Sequence, residues 1–357
     1  MTNHKQGRAI QDVAWFRKEN QDQKLKATLN QIATETFYAT GNIRQFCIIC
    51  SEKLTKVKAF QIRSIVYTIC DHCGHINGNH ELTAEFLNYA YGSFESDCIC
   101  SRPYSDEFTQ STMATDFDSV VQRIYEPKAS FLLDQLSGHC DATEKDVLDF
   151  GCGSGHFVKA LQNVGFKNVH GVDSLPVAVD QAALNGLNES VSLVSLNSVD
   201  EIFASKFTDI VTMLCVLPHL KDPCKALESM IRSGVRWTFQ KVPMFSIGLL
   251  LESAMPEQRS RIIGSDHTNI FTWESINWIE KNYHLKRLAS WSFGSDALDF
   301  ANKIRNKLGE NGTEAFSDWA LRQSEKFLQP MQDAVDSVNL SSELHILWEL
   351  PLQEQIS

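Results

Sequence analysis

From Asp146 onward, short apolar runs alternate with stretches of helical spacing. Val147–Phe150, Val169–Val172, Val191–Ser195, Asp209–Leu214 and Val235–Val242 are each followed by polar or helix-patterned sequence. Apolar runs of strand length separated by helices predict an α/β layer with a mostly parallel sheet. Two later runs, Leu285–Trp291 and Leu344–Trp348, are expected to complete that sheet. The roughly fifty residues between them are largely helical in pattern (Asp296–Leu308 and Glu314–Val338), which predicts a helical insertion serving as a lid or a dimer surface.

The first third of the chain reads differently. Val13, Phe16, Leu25, Leu29, Ile32 and Phe37 fall mostly at helical spacing between Gln11 and Thr40. Phe60 to Tyr67 has the β-branched and aromatic character of one strand, Leu82 to Ser93 that of a short helix and turn, and Asp116 to Ser137 that of a helix leading into the main domain. These changes of pattern divide the chain into a helical segment (1–45), a small module with its linker (46–115), an α/β core (116–295) and a C-terminal helical insertion with the last strand (296–357).

Composition narrows the picture. A chain of 357 residues that is 43% hydrophobic is long enough for a catalytic domain with an appendage. Its 44 acidic against 33 basic residues give a net charge of -11, which disfavours nonspecific attraction to nucleic acid or to an anionic membrane. No apolar run approaches membrane-spanning length, and Met1 to Asn20 has no apolar signal core, so a cytoplasmic protein is expected. The ten cysteines are then expected as reduced thiols or metal ligands.

Four of those cysteines are paired by spacing. Cys47-Ile48-Ile49-Cys50 is followed, after nineteen residues, by Cys70-Asp71-His72-Cys73-Gly74. Two pairs of this type each supply two thiolates from one tight turn and together close a tetrahedral site, which predicts structural zinc. His72 and His75 are incidental in that reading, and the alternative is two pairs of ordinary thiols. Cys98, Cys100, Cys140, Cys152, Cys215 and Cys224 have no ligand partner by spacing and read as small core or turn residues.

The main domain opens on Asp149-Phe150-Gly151-Cys152-Gly153-Ser154-Gly155, a strand running into a glycine turn and then a helix. Glycines there allow a tight bend and close approach of a ligand. The dinucleotide spacing G-x-G-x-x-G fails because His156 stands where its third glycine belongs, and the phosphate loop fails for want of its lysine. The second strand ends on Asp173, 24 residues after Asp149, where a carboxylate can accept from both hydroxyls of a ribose.

An acid, G-x-G-x-G and a second acid in this register resemble motif I and its partner strand in class I S-adenosylmethionine-dependent methyltransferases. Similarity to that family runs well over Asp146 to Trp291 and only loosely beyond. It implies a Rossmann-like seven-stranded sheet and S-adenosylmethionine as cofactor. It also implies Asp173 as ribose ligand, Asp149 as partner of the cofactor's amino end, and Asn197 near the adenine. Gly151, Cys152, Gly153, Gly155, Ser174 and Leu214 complete the implied cofactor set. Val216 to Pro223 resembles the loop and helix after the family's fourth strand, and His267-Thr268-Asn269-Ile270-Phe271-Thr272 its His-x-x-x-Phe-Thr segment.

A four-cysteine module ahead of such a domain resembles bacterial methyltransferases of polysaccharide and modified-sugar biosynthesis. In that arrangement Tyr89 or Tyr91 faces the substrate. The resemblance implies a small-molecule acceptor, a sugar or a related intermediate; a homodimer is one expectation for the C-terminal helical surface. A ribosomal-RNA or protein methyltransferase, and a non-catalytic scaffold, are the competing readings.

Methyl transfer to a hydroxyl needs alignment of acceptor and donor plus removal of a proton. His219, beyond the fourth strand, and His267 are the candidate bases, since imidazole titrates near neutrality. Related ubiquinone-type O-methyltransferases hold a metal by acids around this position. Cys215 and Pro218 stand there here, so no catalytic magnesium is expected.

Overall fold

A computed structural model describes residues 3–10, 36–55, 57–62, 64–83, 85–86, 117–195, 202–203, 208–255 and 267–352. Four parallel-paired strands form the centre of the main sheet: β5 (Asp146–Phe150), β6 (Asn168–Asp173), β8 (Ile210–Leu214) and β9 (Trp237–Pro243). Their residues are buried almost throughout, as expected of strands covered by helices on both faces. With β1 (Asn3–Gln6), β7 (Val191–Leu193), β11 (Lys286–Phe293) and β12 (Glu343–Glu349) the order is β1-β11-β12-β9-β8-β5-β6-β7. β12 is antiparallel to both of its neighbours.

After β7 the chain crosses back to lay β8 on the other side of β5. The strand order therefore reverses at β5 and β8, and a reversal of this kind opens a crevice at the carboxyl ends of the strands. The seven expected strands are present. An eighth, β1, is added outside β11 in parallel pairing, where Trp291 Nε1 donates to Gly7 O at 2.9 Å.

Eight helices are described: α1 (Glu126–Leu136), α2 (His156–Asn163), α3 (Pro176–Leu184), α4 (Pro223–Arg232), α5 (Ile247–Ala254), α6 (Trp273–Asn282), α7 (Asp296–Asn311) and α8 (Glu314–Ser337). On one face of the sheet, Phe131 and Leu132 of α1 and Phe157 and Leu161 of α2 pack with Phe239, Trp291 and Leu347. On the other, Leu227 and Met230 of α4 and Ile276 and Ile279 of α6 pack with Leu148, Val211, Ile346 and Trp348. The α7–α8 pair is the expected insertion. It is tied down by the buried Asp296, whose carboxylate accepts from Gly248 N and Ser342 N, each at 3.0 Å.

The cysteine segment builds a second, antiparallel sheet of order β10-β4-β3-β2, from β2 (Ala59–Ile62), β3 (Ile65–Ile69), β4 (Ile76–Gly78) and β10 (Asn269–Ile270). The single strand expected over Phe60 to Tyr67 is thus a hairpin, with Phe60 directly opposite Tyr67 and their rings stacked at 5.4 Å. A short apolar run does not reveal a turn in its middle, and Ser64 is the only described residue of that turn. Most of the helix expected between Gln11 and Thr40 lies outside the described residues, as do Tyr89, Tyr91, Cys98 and Cys100.

Where the main sheet meets its glycine loop, packing is tight. A Cβ on Gly171 of β6 would lie 2.7 Å from Val158 Cγ2 and 2.8 Å from Cys152 Sγ. Gly171→Ala should therefore overpack this junction and cost roughly 1–3 kcal/mol of stability, read as a lower midpoint at unchanged slope in urea unfolding.

Candidate functional site

The turn from β5 into α2 sits at the reversal of strand order. Gly151 and Cys152 both donate their N–H to Val172 O, at 2.8 and 3.1 Å, which lashes the turn to the end of β6. Gly151 has φ +74 and stands against Val216, whose Cγ2 would lie 2.4 Å from an added Cβ. Gly153 has φ +55 and nothing within 4 Å of its Cβ position. The first glycine is demanded by packing. The second leaves open space beside the backbone, as a loop that receives a ligand requires. Gly155, in the left-handed region, starts α2.

Two carboxylates flank this turn. Asp149 is buried and accepts from Thr212 Oγ1 at 2.6 Å. Burial pushes its pKa up to about 7, the Thr212 hydrogen bond works against that shift, and the nearby Asp173 adds to it. Asp173 ends β6 with its oxygens turned to the loop, Oδ2 accepting from Gly153 N at 2.7 Å and Oδ1 from Leu175 N at 2.9 Å. Its pKa is raised, burial outweighing those hydrogen bonds. Ser174 and Leu214, both half-buried, lie at the same carboxyl edge. Cys152 is buried against Gly171 and its thiol is pushed up by burial, so its side chain belongs to the core while its backbone belongs to the turn. Asn197 lies outside the described residues.

The two candidate bases come from different segments and meet. His219 closes the short 3-10 turn Leu217–His219 after β8, and its ring centroid lies 5.1 Å from that of His267. The second sheet fixes the His267 segment: Tyr67 Oη donates to His267 O at 2.9 Å and Gly78 N to Thr268 O at 2.7 Å. Asn269 Nδ2 then donates to Pro218 O at 3.2 Å, joining that segment to the His219 turn.

Several residues at this edge escaped the sequence reading. Val121–Tyr125 is wound as a π-helical turn ahead of α1, a form that recurs at functional sites. It sets the Tyr125 ring on His156, centroids 5.4 Å apart, with Phe117 on His156 at 4.5 Å. His156 is the residue that broke the dinucleotide pattern, and burial lowers its pKa to about 4, so it serves as a neutral ring. Lys128 is also here, 5% exposed. The available signal was a lysine at an apolar register of a helix.

The four paired cysteines converge. Their sulfurs all lie within 4.8 Å of one another, with Cys47 Sγ to Cys73 Sγ and Cys50 Sγ to Cys70 Sγ each 3.5 Å. A tetrahedral zinc with Zn–S of about 2.3 Å sets its sulfurs about 3.8 Å apart, so the donor set fits a closed structural site. Ser51 N donates to Cys47 O at 3.0 Å and Gly74 N to Cys70 O at 2.9 Å, which shapes two equivalent turns. In the Cys47–Cys73 pair the hydrogen bond from Cys73 holds the Cys47 thiol well below its usual range. His72 is exposed; His75 is fully buried beside Phe271, ring centroids 4.9 Å apart.

A family model described as a methyltransferase domain matches residues 121–289, from the π-helical turn to β11. That stretch of the chain is thus similar to methyltransferase domains. Over 138 residues the chain is 28% identical to a ubiquinone biosynthesis O-methyltransferase of Paraburkholderia phymatum, covering 34% of this chain and 59% of the relative. Over 114 residues it is 31% identical to a ribosomal protein L11 methyltransferase of Photobacterium profundum, covering 31% of this chain and 36% of that relative. The chain thus spans little more than half of one relative and about a third of the other. Among solved structures, a magnesium protoporphyrin IX methyltransferase of Synechocystis PCC 6803 covers 70% of this chain and 96% of its own at 12% identity and a TM-score of 0.41. Among the described residues, no helix is long and apolar enough to cross a membrane.

The α/β domain and the cysteine module share one buried cluster, which contains Cys47, Ile49, Cys70 and Cys73 together with Met230 and Phe271. Metal analysis of the purified protein should give one zinc per chain. Cys70→Ser should reduce that stoichiometry and lower the melting temperature, since a structural zinc contributes its binding energy to folding.

Proposed function

We propose that the protein transfers a methyl group from S-adenosylmethionine to a hydroxyl of a small-molecule acceptor, a sugar or related biosynthetic intermediate. The reading rests on one observation above all. Two acids, the buried Asp149 and the half-buried Asp173, flank a glycine turn at the reversal of strand order, and the turn faces open space at Gly153. In this reading the Asp173 carboxylate takes the ribose hydroxyls, Asp149 and the turn hold the amino-acid end, and Ser174 and Leu214 line the nucleoside. The cofactor, when bound, supplies an activated methyl on sulfur.

The chain's own residues then have two tasks. Placing the acceptor oxygen in line with the methyl can lower the barrier by about 7–11 kcal/mol in favourable cases. His219, steadied by its contact with His267, would remove the hydroxyl proton. The Paraburkholderia relative is named an O-methyltransferase, which supports an oxygen acceptor here. The sugar assignment rests on the likeness of a four-cysteine module ahead of a methyltransferase domain. Incubation with methyl-tritiated cofactor and a panel of sugar and nucleotide-sugar acceptors tests it; label on none of them would remove the sugar assignment.

His219→Ala should lower kcat by about 10²–10⁴ while leaving S-adenosylhomocysteine affinity nearly unchanged. Unaltered turnover at saturating substrates would remove His219 as the base.

Cofactor binding should also depend on pH. With its pKa near 7, Asp149 must ionise to meet the cofactor's ammonium group. Affinity should therefore rise as pH rises from about 6 to 8, by up to about tenfold, and fall again as the carboxyl is protonated. Calorimetry across that range checks the trend, and Asp149→Asn should flatten it.

A further inference from the structure

Lys128 projects from α1, a helix whose neighbouring Ala129, Phe131 and Leu132 are buried against the sheet, yet the lysine is itself only 5% exposed. Among the described residues its ammonium has no hydrogen-bond or ion-pair partner. Its nearest company is the Tyr125 ring, with Nζ 4.9 Å from the centroid. The charged groups that bear on it are Lys241, Arg8 and Glu343, with the Cys215 thiol. Glu343 is already engaged by Lys241 at 3.0 Å. Arg8 is half-buried and donates to the carbonyls of Ile124 and Arg123, so Lys128 is left with one carboxylate nearby that Lys241 already holds. An ammonium taken from water without an anion is costly, so such a group sheds its proton readily and regains it when an anion arrives.

The location says what that anion is. Lys241 stands at the carboxyl end of β9, opposite Leu214 of β8, and its carbonyl accepts from Cys215 N at 3.1 Å. Glu343 begins the antiparallel β12, so it lies on the same edge of the sheet. The Asp149–Asp173 turn belongs to β5 and β6, whereas β9 is two strands away across β8. At about 4.8 Å per strand this is roughly 10 Å from the turn, along the same edge of the sheet. The Tyr125 ring, stacked on His156 and carrying Lys128 on its face, spans the interval.

We infer that Lys128 and Lys241 form an anion subsite that receives an oxyanion, carboxylate or phosphate, of the methyl acceptor. The inference rests on the methyltransferase reading above and specifies the acceptor as an anionic molecule. Glu343 keeps Lys241 charged and in place. Lys128 is the free arm of the pair among the described residues. Burial, reinforced by Lys241, lowers its pKa to about 7, so it is largely neutral at pH 8 and takes up a proton when an anion arrives. His345, buried on β12 opposite Lys241 and held neutral by burial and by the same two cations, does not compete for that proton.

Inorganic sulfate, which does not itself titrate near neutrality, is the probe. Sulfate should bind the wild-type protein saturated with S-adenosylhomocysteine, and calorimetry at pH 8 in two buffers of different ionisation enthalpy should show proton uptake. Lys128→Met should weaken sulfate about ten- to a hundredfold, as expected for loss of a charged hydrogen-bond donor, and abolish the uptake. It should leave S-adenosylhomocysteine affinity within about twofold. Replacing a buried unpaired ammonium with an apolar chain of similar length should not lower the melting temperature, and Lys128→Gln provides a second variant. Equal sulfate affinity in wild type and variants overturns the subsite. A fall of tenfold or more in S-adenosylhomocysteine affinity in the variants assigns the lysine to the cofactor and overturns it equally. Wild-type protein that binds no S-adenosylhomocysteine overturns the methyltransferase reading itself, and the subsite with it.

Discussion

The hydrogen bond from Gly153 N to the Asp173 carboxylate, 2.7 Å long, joins the two structural facts on which the site depends. One is a glycine turn whose backbone is bare enough to face open space. The other is a pair of parallel strands that end side by side. The carboxylate accepts the amide that the turn would otherwise leave to solvent, so the turn is held in one shape before any ligand arrives. Two further amides on Val172 O complete the lashing. The arrangement puts an acid with raised pKa in a half-buried position, where a hydroxyl-bearing ligand can replace the lost hydration.

Much of this was legible because it is local. The acid–glycine–glycine–glycine spacing and the acid after the next strand each follow from a strand-to-helix turn that a few residues specify on their own. The α/β layer was equally readable, since parallel strands buried on both faces leave continuous apolar runs. The paired cysteines declared themselves for the same reason, each turn needing only four residues.

What escaped was set by distance along the chain. Nothing in Asn3–Gln6, four exposed polar or charged residues, announces a strand; it exists because the free edge of β11 offers a partner. Phe60–Tyr67 reads as one strand until a hairpin is closed within it. The meeting of His219 with His267 depends on Tyr67 and Gly78, residues some two hundred positions before the histidine they position. Lys128 looked like one charge among many on a helix. Its meaning lies in Lys241 and Glu343, which only the folded sheet brings near.

The small sheet around the cysteines draws its fourth strand, β10, from residues 269–270, long after the main sheet has begun. On a ribosome that releases the N-terminal region first, β4 must wait for nearly two hundred more residues before its outer edge is paired. During that interval the nascent chain carries an open strand edge and four clustered thiols. A metal captured at this stage would staple the early fragment into shape and hold its edge ready. Synthesis under metal starvation is then the condition most prone to leave this protein aggregated, whatever the stability of the finished fold.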